Sequence, residues 1–136
     1  MAFKLLCAVD GSDHSKEAVE FAASMAKKLD ADLTLLAVIP VTLGRGVKQP
    51  LWTESEARKI LDSAAKAAKK AGLKDVDTME AAARDVAGAI LTVAEDKDFD
   101  HIVVGSGGKS AATRLLIGSV STDVVNKAHC PVTVVH

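Results

Sequence analysis

Short apolar runs alternate with amphipathic stretches along this chain. Phe3 to Val9 is a mostly apolar run that fits a strand covered on both faces, and Asp10-Gly11-Ser12 ends it. With Ser12 or Asp13 as N-cap, Ala18, Phe21, Ala22, Met25 and Leu29 then fall on one face of a helix, with Glu17, Glu20, Lys27 and Lys28 mostly elsewhere. Leu33 to Ile39 repeats the strand pattern before Pro40. The stretch from Pro40 to Trp52 holds Pro40, Gly44, Gly46 and Pro50 without a sustained period, so it reads as a long loop; its length and its place after a strand suggest a lid.

Thr53 and Glu56 form a capping-box pair that opens a second helix, with Ala57, Ile60, Leu61, Ala64, Ala68 and Ala71 inward and Gly72 as its stop. Val76 to Ala82 is a strand by its place in the alternation more than by its apolar content. Asp85 caps a third helix that turns Val86, Ala89, Ile90, Val93 and Ala94 inward, and His101 to Val104 is a strand ending at Gly105. Ser119 starts a last helix carrying Val120, Val124, Val125 and Ala128, and Pro131 precedes a final strand, Val132 to Val135. Four β-α units closing on a fifth strand predict one α/β domain over residues 1–136, a parallel sheet with helices on both faces.

Composition narrows the function classes. Seventeen basic and eighteen acidic residues nearly cancel and lie scattered, which is no footprint for nucleic acid. The opening MAFKLLCAVD is interrupted by an Asp too soon for a signal peptide, and no apolar run approaches a membrane span, so the expectation is a soluble cytoplasmic protein. Cys7 and Cys130 lack CxxC spacing and read as buried free thiols. The four histidines show no paired metal spacing.

Ligands of open α/β sheets bind beyond the carboxyl ends of the strands. Three segments with unusual chemistry end there: Val9-Asp10-Gly11, Val38 with its following loop, and the segment from Gly105 to Ser121. The glycines of that last segment let backbone N–H groups converge without a Cβ in the way, as a phosphate chain requires. Gly118-Ser119 then stands at a helix start, where unpaired N–H groups and the helix dipole favour an anion.

The spacing Gly105-x2-Gly108-x9-Gly118-Ser119 resembles the nucleotide-binding signature of the universal stress protein family. The opening Ala8-Val9-Asp10-Gly11-Ser12 and the close Cys130-Pro131-Val132-Thr133-Val134-Val135 are similar to that family as well, so the resemblance spans the chain. It implies an adenine nucleotide alpha hydrolase-like fold, an open five-stranded parallel sheet of order 3-2-1-4-5. It also implies that Ala8, Val9 and Asp10 lie by the adenosine of ATP and that Val38 offers its backbone to the adenine. Gly105, Ser106, Gly107, Gly108, Gly118, Ser119, Val120 and Ser121 would hold ribose and phosphates. Mg or Mn would accompany the triphosphate, and two copies of the chain would pair through the last strand. Gly107 departs from the pattern, since many nucleotide-binding relatives carry His or Arg there.

Two rival motifs fail on the same residues. Gly108-Lys109-Ser110 imitates the end of a Walker A loop, whose first glycine would have to be Val103. Ser106-Gly107-Gly108-Lys109-Ser110 is similar to an SGGxDS pyrophosphatase loop, but its Asp is missing. Lys109 and Arg114 read as solvated loop charges and Trp52 as edge packing. With no nucleophile paired to a base, the expectation is an ATP-responsive regulatory module of the stress response with no catalytic residues. The alternatives are a slow ATP hydrolase using Asp10, or a dimer that does not depend on nucleotide.

Overall fold

The computed structural model describes residues 3–44, 47–50, 53–106 and 118–136. Strand β1 (Lys4–Val9) leads into helix α1 (Asp13–Leu29), β2 (Asp32–Gly44), β3 (Val47–Pro50) and α2 (Glu54–Lys70). Then follow β4 (Asp77–Ala83), α3 (Val86–Asp96), β5 (His101–Gly105), α4 (Ser119–Lys127) and β6 (Val132–Val135). The five strands of the β-α alternation pair in parallel in the order β4-β2-β1-β5-β6. Numbered without the hairpin strand β3, this is the expected order 3-2-1-4-5.

The sheet separates two apolar layers. Leu5, Cys7, Leu33, Leu35 and Val103 face α1 and α2, while Leu6, Leu36, Val38, Ile102 and Val104 face α3 and α4. Adjacent residues of β1, β2 and β5 thus go to opposite layers, which is why these strands read as unbroken apolar runs. Cys7 is fully buried, and burial pushes its thiol up to about 12; Cys130 is only partly covered, against the expectation of a buried thiol.

Local chemistry sets the helix ends. Ser12 is the N-cap of α1, accepting from the Ser15 N–H, and Thr53 with Glu56 completes the capping box of α2. Gly72, at φ +115°, follows α2, and the Leu73 N–H returns to the Ala68 carbonyl.

Three expectations need correction. The segment after Pro40 is no loop: β2 runs on to Gly44 and pairs antiparallel with β3, from Val41 opposite Pro50 to Gly44 opposite Val47. Pro40 is opposite Ala83 at the end of the parallel ladder, so its missing N–H falls where β2 changes partners. On α1 the covered stripe is Ser15, Ala18, Val19, Ala22, Ala23 and Ala26, which leaves Phe21 and Leu29 exposed. Small alanines let the helix lie close to the sheet, and the bulkier residues rotate outward. On α4 only Val124 of the four apolar positions is buried, and Val120 and Val125 are exposed. Trp52 lies outside the described residues.

Candidate functional site

A cavity of about 590 Å³ opens at the carboxyl ends of β1, β2 and β5. Its size suits a small organic ligand. Ala8, Val9 and Asp10 enter from β1 and the turn after it, Val38 and Pro40 from β2, and Val104 and Gly105 from β5. Helix α4 brings Gly118, Ser119, Val120 and Ser121, and α3 adds Val86 and Ile90.

The turn after β1 is a compact polar knot. The Ser12 N–H donates to Asp10 Oδ1 at 2.9 Å, and the Asp10 N–H donates to Ser15 Oγ at 3.1 Å. Gly11 adopts φ +83°, and a Cβ there would stand 3.3 Å from the side chain of Ile60, so this turn requires glycine. Gly105 is required for another reason: the first turn of α1 presses on it directly. Both glycines bring backbone, rather than side chains, to the cavity rim.

Helix α4 starts with an open end. Gly118 is its N-cap and has no side chain to cap the first turn. The Gly118 N–H is engaged by the Ser106 carbonyl at 2.7 Å, and the Thr122 N–H returns to the Gly118 carbonyl. By helix geometry the N–H groups of Ser119, Val120 and Ser121 have no intrahelical acceptor, and these three residues line the cavity. A helix terminus so arranged attracts anions. In the same cavity Val38, Val86 and Ile90 form an apolar wall. One space therefore holds an anion-attracting end and an apolar end.

Nine of the residues expected at the site come together here: Ala8, Val9, Asp10, Val38, Gly105, Gly118, Ser119, Val120 and Ser121. Ser106 does not line the cavity. It is 1% exposed, and its hydroxyl is hydrogen bonded to Nδ1 of His14 at 2.8 Å. Ser121 donates its hydroxyl to the Gly105 carbonyl at 2.6 Å, so this serine braces the site as well as lining it. Gly107, Gly108, Lys109 and Arg114 lie outside the described residues.

Sequence reasoning missed Val86 and Ile90, which read as ordinary inward positions of α3, Ser12, which read as a cap, and Ser15, which it did not single out. Asp10 is the one carboxylate among the described lining residues. No group of three His, Cys, Asp or Glu among the described residues could hold a metal ion. No helix among the described residues is long and apolar enough to cross a membrane.

The model of the universal stress protein family matches residues 1–136. A universal stress protein of Methanocaldococcus jannaschii is 34% identical over 97% of this chain and 81% of its own length. One from Mycobacterium tuberculosis is 32% identical over 94% of this chain, which spans only 46% of that relative. Among solved structures, a universal stress protein in complex with cAMP is similar, with a TM-score of 0.77 and 27% identity over 98% of this chain and 96% of that one.

Proposed function

Since the chain belongs to the universal stress protein family, we propose that its cavity binds ATP and that the protein works as a nucleotide-responsive module of the stress response. The observation that carries this reading is the pairing, in one cavity, of the uncapped α4 terminus with the apolar wall of Val38, Val86 and Ile90. The triphosphate meets the N–H groups of Ser119, Val120 and Ser121, and the adenine lies on the apolar wall. Binding of cAMP by a structural relative supports an adenine ligand.

In this reading Gly105 and Gly118 keep the rim free of side chains, Asp10 faces a divalent ion brought with the phosphates, and the family's spacing assigns Gly107 and Gly108 to the phosphates as well. The chain is taken as one cytoplasmic domain that pairs with a second copy through β6. Among the described strands β6 is bonded on one side only, to β5. The near balance of basic and acidic residues supports no nucleic-acid partner.

A weak hydrolase is the second reading, favoured by the position of Asp10 on the cavity wall. The described lining residues include no His, Cys or Lys to act as base or nucleophile, so binding is the better-supported role. Single-turnover hydrolysis at the uncatalysed rate, with magnesium present, would remove the hydrolase.

Two measurements test the main reading: mass spectrometry of nucleotide released on denaturing the purified protein, and calorimetric titration of the stripped protein with ATP. An adenine nucleotide in the first, or saturable binding in the second, is expected. No released nucleotide and no binding up to about 1 mM, a level that corresponds to only about 4 kcal/mol, would overturn it.

A further inference from the structure

Two consecutive residues of α1 brace the ends of two neighbouring strands, β1 and β5, that line the cavity. Ser15 takes the Asp10 N–H at the end of β1, and His14 meets the Ser106 hydroxyl just beyond β5. We propose that His14 is a positioning residue for the phosphate end of the cavity, acting through Ser106; the inference rests on the nucleotide reading above.

Ser106 is the joint through which His14 acts. Its N–H donates to the Val135 carbonyl of β6 at 2.8 Å, and its carbonyl accepts the Gly118 N–H at 2.7 Å. Its side chain, almost wholly buried, is held by His14 at 2.8 Å, the ring tautomer deciding which of the two donates. One residue thus ties α1, β6 and the N-cap of α4 to the end of β5. A shift of Ser106 is passed to Gly118 and so to the three N–H groups of the first turn of α4. Donors to an anion act at hydrogen-bond distance, and a misplacement of about 1 Å forfeits much of their effect.

The apolar wall is built from β2 and α3, which take no part in these bonds. Loss of the His14 contact therefore separates the two ends of the ligand. ATP, which uses the α4 terminus, is weakened, and adenosine, which lacks phosphates, is not.

The test is calorimetric titration of the full chain with ATP and with adenosine, for wild type, His14→Leu, His14→Asn, Ser106→Ala and the His14→Leu/Ser106→Ala double variant. His14→Leu is expected to weaken ATP about tenfold and adenosine by less than about twofold, the scale of one lost hydrogen bond that held a donor array in place. His14→Asn keeps a polar atom near the place of Nδ1 and recovers ATP binding to within about threefold of wild type. Ser106→Ala also weakens ATP and spares adenosine, and the double variant loses less than the sum of the two single variants, because both remove the Ser106–His14 bond. Thermal melts establish that each variant is folded, and Ser106→Ala carries the test if His14→Leu is not. Unchanged ATP affinity in a folded single variant, parallel loss of ATP and adenosine, or additive losses in the double variant would overturn the proposal. Wild-type protein that binds neither ligand would overturn the nucleotide reading, and this inference with it.

Discussion

Gly105 lies against the backbone of His14 so closely that a Cβ on it would stand 2.7 Å from the His14 carbonyl oxygen and 2.8 Å from its carbon. Neither atom belongs to a flexible side chain, so a methyl group there forces β5 and α1 apart. Gly105→Ala is expected to cost about 1–3 kcal/mol, the usual range for overpacking, read as a lower urea midpoint at unchanged slope. A midpoint equal to wild type would show that the first turn of α1 yields freely.

Gly118 separates stability from binding. An Asp at an N-cap accepts from the first-turn N–H groups, and relative to Gly it stabilises a helix by about a few tenths of a kcal/mol. The same carboxylate would occupy the place of a phosphate and repel one. Gly118→Asp is therefore expected to hold or raise the melting temperature while weakening ATP by about tenfold or more, the range of a lost charge-assisted contact. Melting curves and titrations on one sample check this, and a fall in both quantities would contradict it.

His101 stands at the opposite end of β5 from the cavity, with its Nε2 2.7 Å from Thr133 Oγ1. Burial pulls its pKa below the ordinary 6.5. As pH falls the unfolded chain takes up this proton first, so the contribution of His101 is intact above 6.5 and is lost as pH falls through that value towards the lowered one. His101→Gln should flatten the decline in melting temperature as pH falls below 6.5. Parallel wild-type and variant profiles would rule His101 out as the group responsible.

The parallel sheet was legible because β1, β2 and β5 are buried on both faces, and the capping residues Ser12, Thr53 and Asp85 mark their helices by side-chain chemistry alone. The hairpin of β2 and β3 was not. Pro40, Pro50 and Gly44 are breakers by composition, and only the pairing shows Pro40 placed where no N–H is needed. The rim of the cavity was readable from Asp10, Gly105, Gly118 and Ser119, which sit at element ends. Val86 and Ile90 were not, because an apolar residue facing a cavity and one facing the core have the same sequence signature. The bracing role of Ser106 was equally hidden, since its partner His14 is 92 residues away.

That separation bears on how the protein is made. A contact between His14 and Ser106 closes most of the chain into a loop, and the Ser106 N–H waits for Val135 of the last strand. Loop closure of this kind comes late, after its entropy has been offset by the sheet contacts between. During synthesis the cavity therefore takes its final shape only once β6 has joined the sheet, and a nascent chain halted before that strand would have its apolar lining from β2 and α3 but a Ser106 not yet tied to the last strand.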